Sequence, residues 1–430
     1  MNYLVIGQGG REHAIIKALK TSESVKMIHA IPGNPGIAKE ATCHSLDWKN
    51  FEDIYQFCRN QQIHIVIIGP EDPFVMGLSD YLRDRDVLVV GPSKAAAQLE
   101  GSKVFAKEFM LEFGVSTAKA VTVRSVDETI KAASEFTPPY VLKADGLAAG
   151  KGVVLCKTLE QLSEISKQFF EQKLFGQASE KALLEQFLPG YELSLLLVTN
   201  GKEFQLLPLA QDHKQLLDGD QGPNTGGMGT VAPMTIPESL MKEIQIKIID
   251  PTLNGLASRN LFYRGVIFLG LMITKEGPRL LEYNCRFGDP ETQVIMPLFD
   301  GDWGVVFQQL ALGKIIKMSW KNNLYSTCVV LAAPGYPDSP EKGVPIDGNP
   351  LSEDSSVETK TGISAKAYFI HAGTRRSSEG QWQTAGGRVL CAMGIGPTKE
   401  ESRKRAYEQA QRVSWKGLQK RSDIGLRLNI

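Results

Sequence analysis

At 430 residues, with 42% hydrophobic and 22% charged side chains, the chain is too long for one ordinary domain and has apolar material for a sizeable core. Its 48 basic and 48 acidic residues cancel, which leaves no electrostatic footprint for nucleic acid or an anionic membrane, so any polyanion site must be local. No run approaches the roughly 20 apolar residues of a membrane span, "MNYLVIG" is too short for a signal peptide, and the six scattered cysteines lack a C-x-x-C pair and read as buried reduced thiols. A cytoplasmic enzyme or binding protein is expected, with no nucleic-acid or membrane partner.

In chain order, "NYLVI" leads into Gly7, Gly9 and Gly10 and then a predicted helix over 11–20. "IHIVIIG" and "DVLVVG" are further apolar runs, each closed by Gly-Pro. Continuously apolar strands separated by helices predict a parallel sheet covered on both faces. The turn "GQGGREH" reads either as a tight strand-to-helix connection or as an anion site built from backbone amides at a helix start. A dinucleotide site also needs an acid at the end of the second strand. "IHAIPGNPG" has none, which argues against NAD and for a smaller phosphorylated ligand.

The segment "GPSKAAAQLEGSK" reads as the exit from this unit, followed by a helix over 103–113. "YVLKADGLAAGKGVVLCK" then predicts two strands joined by a Gly-rich loop over 145–152. It is no Walker A loop, because Gly152 stands where Ser or Thr should follow Lys151 and the loop joins two strands. Small residues let the backbone approach a phosphate, and Lys143 and Lys151 supply charge; a solvated hairpin turn is the alternative. "ALLEQFLPGYELSLL" reads as strand, turn and strand. The backbone of Gln186, Phe187 and Leu188 could read an adenine edge there, with Glu192 accepting from ribose hydroxyls.

The polar stretch "QDHKQLLDGDQGPNTGGMG" is either a mobile surface loop or one that closes over a substrate. In "PRLLEYNCRFGDPETQ", strand alternation places Glu282, Asn284 and Arg286 on one face and Leu281, Tyr283, Cys285 and Phe287 on the other. Carboxylate and amide oxygens suit hard Mg²⁺ together with substrate phosphates, and the guanidinium suits a carboxylate or phosphate. Over 325–425, "YSTCVVLAA", "AKAYFIHAGT" and "GGRVLCAMGIG" read as strands, "TKEESRKRAYEQAQRV" as an amphipathic helix, and 334–355 as a surface loop.

The order of Gly-rich hairpin loop, hinge and Glu-x-Asn-x-Arg strand resembles the ATP-grasp superfamily. "GQGGREHA", "GPE", "KADGLAAGKGV", "QDHK", "GPNTGGMG", "EYNCRFGDPETQ", "HAGT" and "GGRVL" resemble the phosphoribosylamine–glycine ligases along nearly the whole chain. Only general pattern is shared over 44–62 and 337–360, and "GVIFLGLMI" carries Phe-Leu where Tyr-Ala is expected. The resemblance implies an α/β and α+β multidomain chain. Its parts are a Rossmann-like N-terminal domain (1–102), an ATP-grasp domain (103–320) with a mobile lid at about 121–190, and a small mixed C-terminal domain (325–426).

It also implies an ATP-dependent ligase of de novo purine biosynthesis. Glycine and 5-phosphoribosylamine would be joined through glycyl phosphate, giving glycinamide ribonucleotide, ADP and phosphate, with Mg²⁺ or Mn²⁺ and as a monomer. ATP would meet Lys103, Lys143, Gly146, Gly150, Lys151, Gly152, Glu185, Gln186, Phe187, Leu188 and Glu192. The metal would sit on Glu282 and Asn284. Substrates would meet Gly9, Gly10, Asn34 and Glu71 on the N-terminal side. On the other side they would meet Asp212, Lys214, Asn224, Thr225, Gly226, Arg286, Asp289 and Glu291. Lys143, Arg286, Asp212 and Asp289 are the expected catalytic groups. No Ser, Cys or His stands in a nucleophile-and-base arrangement, and this chemistry requires none. The rival readings are another ATP-grasp ligase, such as a carboxylase handling bicarbonate, and a non-catalytic nucleotide-binding protein.

Overall fold

The computed structural model describes residues 1–147, 152–358 and 364–426. The first apolar runs form parallel strands: Asn2–Gly7, Met27–Pro32, Ile65–Ile68 and Leu88–Pro92, with the short Thr42–Cys43 at the edge. In space the order is Thr42–Cys43, Met27–Pro32, Asn2–Gly7, Ile65–Ile68, Leu88–Pro92. Chain order therefore reverses between Asn2–Gly7 and Ile65–Ile68, the point at which a sheet of this kind is expected to form a crevice. The strands are buried on both faces, as continuous apolar sequence requires.

The sheet does not end there. Leu88–Pro92 pairs antiparallel with Tyr263–Thr274 through Pro92 and Gly91. Pairing then continues through Tyr191–Thr199, Leu209–Asp212, Gly229–Met234, Tyr325–Ala332, Arg388–Gly396, Ser364–His371 and Glu353–Glu358. Among the described residues one mixed, fifteen-stranded sheet thus runs through the whole molecule. A cluster of buried side chains along it joins Tyr3 and Ile15 to Phe287, Trp303 and Phe307, and on to Val330 and Met393.

A separate antiparallel sheet of four strands, in the order Ala120–Val123, Ala182–Gln186, Tyr140–Ala144, Val153–Cys156, occupies the region expected to be a lid. Helices Val126–Ala133 and Leu159–Phe170 cover it, capped by the hydroxyls of Ser125 and Thr158. Leu142, Leu162, Phe169 and Leu184 give it a core of its own. The predicted helices over 11–20 and 103–113 are Gly10–Lys20 and Lys103–Glu112, and the C-terminal amphipathic helix is Lys399–Ala410.

The polar stretch after Asp212 is not a plain loop. Gln215–Leu217 and Gln221–Asn224 form a hairpin. The buried Arg421 guanidinium holds it, donating to the Gln215 carbonyl at 3.1 Å and to Asp220 at 2.9 Å. All six cysteines are free thiols. Among the described residues no helix is long and apolar enough to cross a membrane.

Candidate active site

The strand Gly277–Asn284 pairs with Tyr263–Thr274, and the pairing slips by one residue between Gly270 and Leu271. Glu282 faces Gly270 while Leu280, not Leu281, faces Leu271. The expected alternation therefore holds from Glu282 onward and fails before it. Leu280 is fully buried, and Leu281 is the extra residue of a bulge. Leu281 leaves the core face because the partner strand, not local periodicity, sets where the ladder slips. The bulge has a use, since the Leu281 carbonyl accepts from Lys143 Nζ at 3.3 Å. Gly270 matters opposite it, because a Cβ there would lie 3.2 Å from Glu282 Cγ.

Around Glu282 stand ammonium groups from three elements. Lys143 lies one residue before the end of the strand Tyr140–Ala144, Lys103 opens the helix Lys103–Glu112, and Lys214 lies just after Leu209–Asp212. Burial is the largest influence on the Glu282 carboxyl and pushes it up. Lys214, Lys143, Lys103 and Arg286 together outweigh burial and hold it below the ordinary range, so it is ionised. Among the described residues it has no hydrogen-bond or ion-pair partner, leaving its oxygens available. Asn284 Oδ1 accepts from Arg286 at 3.1 Å and keeps a second lone pair. Among the described residues no three acidic, His or Cys side chains cluster to hold a metal alone. Two protein oxygens beside a cationic wall fit a hard cation whose shell is completed by water and phosphate oxygens.

Lys143 also pairs with Glu185 at 2.6 Å, and Glu185 is shared with Lys107 at 3.0 Å. Lys103 Nζ donates to the Gly146 carbonyl at 3.1 Å. Gly152 closes the base of the hairpin, its carbonyl accepting from Ala144 at 2.8 Å. The expected phosphate contacts Gly150 and Lys151 lie outside the described residues. At the hinge, the Gln186 amide already donates to Lys119 at 2.9 Å, Phe187 is exposed and Leu188 half-buried. Glu192 is exposed and pairs with Lys214 at 3.2 Å.

Arg286 binds Glu71 at 3.1 Å and Glu100 at 2.8 Å, which brings the "GPE" turn onto the site strand. Glu100 also accepts from the Cys285 amide at 2.7 Å. Next to this lies the Asp289 corner. Asp289 accepts from Gln293 at 2.7 Å and from the Arg11 amide at 3.2 Å, and Arg388 lies 3.5 Å away. Arg388 also donates to the Gly226 carbonyl, and the Gly226 amide donates to Tyr336 at 2.9 Å. Thr225 donates to the Lys214 carbonyl at 2.7 Å, whereas Asn224 is exposed and accepts from Gln215 at 3.1 Å. Asp212 and Glu291 are both pushed up. Burial is the first cause in each, and for Asp212 the Glu291 charge is the second.

The Gly-rich turn is filled from within. The Gly9 amide donates to Glu12 at 2.5 Å, and Arg11 Nε donates to the same carboxylate at 2.7 Å. Glu12 plugs the crevice between the first and third parallel strands, since a Cβ on Gly69 would lie 1.9 Å from its Oε1. Gly10 packs against Gln293 and Asp289. Asn34 spends its amide inside the protein, donating to the Gln8 and His371 carbonyls at 2.8 and 3.1 Å and accepting from Gly36 and Ile37.

The structure thus links Lys103, Lys143, Lys214, Glu282, Asn284, Arg286, Glu71, Asp212, Asp289 and Glu291 in one network of hydrogen bonds, ion pairs and neighbouring charges. It places Asn224 and Phe187 at the surface and uses Asn34 as a brace. Sequence reasoning missed Glu100, Lys107, Glu12 and Arg388. Three of them sit inside motifs singled out above ("QLEGSK", "GQGGREH", "GGRVL"), and a charged residue wedged beside glycines was the available signal.

Family profiles match in three consecutive parts. These are the phosphoribosylglycinamide synthetase N domain at 1–100, its ATP-grasp (A) domain at 101–292 and its C domain at 326–427. The chain is 38% identical to the phosphoribosylamine–glycine ligase of Clostridium acetobutylicum over 429 residues, covering 99% of each chain. It is 41% identical to that of a Nostoc species, covering all of both. The crystal structure of phosphoribosylamine–glycine ligase from Thermotoga maritima superposes with a TM-score of 0.84 at 36% identity, over 99% of this chain and 100% of that one. The biotin carboxylase domain of the Hydrogenobacter thermophilus 2-oxoglutarate carboxylase, at 17% identity, TM-score 0.72 and coverage of 97% and 91%, shares the fold. The chain belongs to the phosphoribosylglycinamide synthetase family.

Proposed function

We propose that the protein joins glycine to 5-phosphoribosylamine, converting ATP to ADP and phosphate, as the names of its full-length relatives suggest. The observation that carries this reading is the half-buried, ionised Glu282 beside Asn284, without a hydrogen-bond or ion-pair partner among the described residues and walled by Lys103, Lys143 and Lys214. Such a wall attracts a triphosphate, and Glu282 with Asn284 would hold Mg²⁺ or Mn²⁺ against it. When bound, that metal supplies positive charge to the phosphates. Adenine would lie along Gln186–Leu188 and ribose at Glu192, with Gly146, Gly150, Lys151 and Gly152 over the phosphates.

An oxygen of glycine's carboxylate attacks the γ-phosphorus and ADP leaves. The amine of phosphoribosylamine then attacks the acyl carbon of glycyl phosphate and phosphate leaves. Protein groups position the reactants and offset developing charge. Arg286 would orient the glycine carboxylate. For the ammonium, Asp212 with Glu291 is a better seat than Asp289. Both of these carboxyls are pushed up by burial despite Lys214 nearby, whereas Asp289 already has Arg388, Gln293 and the Arg11 amide. Phosphoribosylamine would reach toward the N-terminal side of the site at Glu71, because Glu12 already fills the turn at Gly9 and Gly10. The same reading divides the chain into an N-terminal domain at 1–102, an ATP-grasp domain at 103–320 with its lid, and a C-terminal domain at 325–426.

The test is ADP release, required to depend on both glycine and freshly made phosphoribosylamine. Glycine carrying heavy oxygen in its carboxylate should pass one label to the released phosphate. Turnover with bicarbonate in place of glycine would overturn the reading, and unlabelled phosphate would remove the acyl phosphate from it.

A further inference from the structure

Behind Lys143 lies a second buried ammonium that the reaction above does not use. Lys107 is 4% exposed, on the inner face of the helix Lys103–Glu112. Its three N–H bonds go to Glu185 at 3.0 Å, Thr117 Oγ1 at 2.6 Å and the Ala118 carbonyl at 3.1 Å, so none is left for a ligand. Glu185, 2% exposed, gives one oxygen to Lys107 and the other to Lys143. Among the described residues Lys143 donates only to Glu185 and the Leu281 carbonyl, so its third N–H remains.

The charge count decides what this cluster can do. Lys143 with Glu185 alone would be a neutral pair, and a neutral pair offers little to a polyanion. Burying a third ion is costly, so its presence beside the pair calls for a reason. We propose that Lys107 is a positioning residue that cancels the charge of Glu185, so that Lys143 presents a full cation to the nucleotide's phosphates. This rests on the reading that Lys143 faces those phosphates. Glu185 is then the clamp holding Lys143 at the site, and Lys107 is what prevents the clamp from neutralising it. Burial lowers the Lys107 pKa from its ordinary value and Glu185 opposes that, as expected of an ammonium kept charged by its partner.

The experiment compares binding of ATP–Mg²⁺ and of uncharged adenosine to the full chain by calorimetry. The variants are Lys107→Met, Glu185→Gln, the two combined, and Lys143→Met. Lys107→Met should weaken ATP on the order of tenfold through loss of one nearby charge in a partly desolvated site, with adenosine unchanged. Adding Glu185→Gln should restore most of the lost preference for ATP over adenosine, because the charge count returns. Equal weakening of both ligands, or no recovery in the double variant, would mean that Lys107 only packs, and would overturn the proposal. If Lys107→Met does not fold, the double variant carries the test alone, and a lost preference for ATP there is equally fatal. Lys143→Met separates the two readings. If it leaves the ATP preference intact, Lys143 is not at the phosphates and the underlying reading falls. If it abolishes the preference while Lys107→Met does not, only the role of Lys107 falls.

Discussion

Burial pushes the Glu282 carboxyl up, and four surrounding cations outweigh it and keep it ionised. The strand's other face is core, with Tyr283 and Cys285 buried, so the two faces can be altered separately. Glu282→Gln and Asn284→Ala should each abolish ADP release, because loss of the proposed nucleotide-bound metal would remove several kcal/mol of transition-state stabilisation. The unfolding midpoint and far-UV spectrum should stay near wild type. Near-normal rates in both variants at ordinary Mg²⁺ would refute the metal row. Glu100 makes the opposite case, since burial pushes its carboxyl up to about 7 even though Arg286 opposes the shift. A folded value above the unfolded one means that native protein binds the proton more tightly. Its contribution to stability is therefore full below pH 4.5 and is lost as pH rises through about 7. Urea titrations at a series of pH values should show stability falling across that window, and Glu100→Gln should remove that part of the slope. An unaltered slope would show that Glu100 titrates normally.

At the scale of elements, the four-stranded sheet is a small unit with its own core, and its attachment near the site is polar. Asp145, at the base of the Gly-rich loop, accepts from the Ser102 hydroxyl at 2.8 Å and the Val104 amide at 3.1 Å. Those two groups belong to the start of the helix that carries Lys103 and Lys107, so one contact sets the loop against both lysines. If 145–152 lies over the phosphates as proposed, protease cutting there should slow markedly on adding ATP–Mg²⁺, because bound nucleotide would shield the backbone. Asp145→Ala should raise the cutting rate without nucleotide, by releasing the base of the loop. Cutting that is indifferent to nucleotide would count against the loop as a phosphate clamp.

Across the whole molecule, the same buried cluster and the same sheet serve the N-terminal, central and C-terminal parts. Tyr3 and Ile15 pack in one cluster with Phe287, Trp303 and Phe307, and the edge strand Leu88–Pro92 continues into Tyr263–Thr274. Ion pairs span the same boundary, such as Arg286 with Glu71. A chain beginning at residue 101 would expose that apolar face and remove both ion-pair partners of Arg286, Glu71 and Glu100. It should therefore lack near-UV circular dichroism and aggregate, whereas the intact chain should unfold with tryptophan fluorescence and near-UV signals coincident. A truncated chain with a native-like near-UV spectrum would contradict this coupling.

The features legible in the residue order are local. Continuously apolar runs between helices specified the parallel sheet, because strands buried on both faces have no polar alternation to show. Alternation in "EYNCRF" specified the row Glu282, Asn284, Arg286, because a pleated strand has period two. The tertiary structure alone decided three things. The bulge that expels Leu281 is set by the partner strand. The plugging of the Gly-rich turn by Glu12 depends on Gly69, two strands away in sequence but adjacent in the sheet. The buried ion partners Glu100, Arg388 and Lys107 meet residues dozens to hundreds of positions distant. Periodicity records which face of an element a side chain occupies. It carries no record of which distant charge will stand opposite once burial makes an unpaired ion too costly to keep.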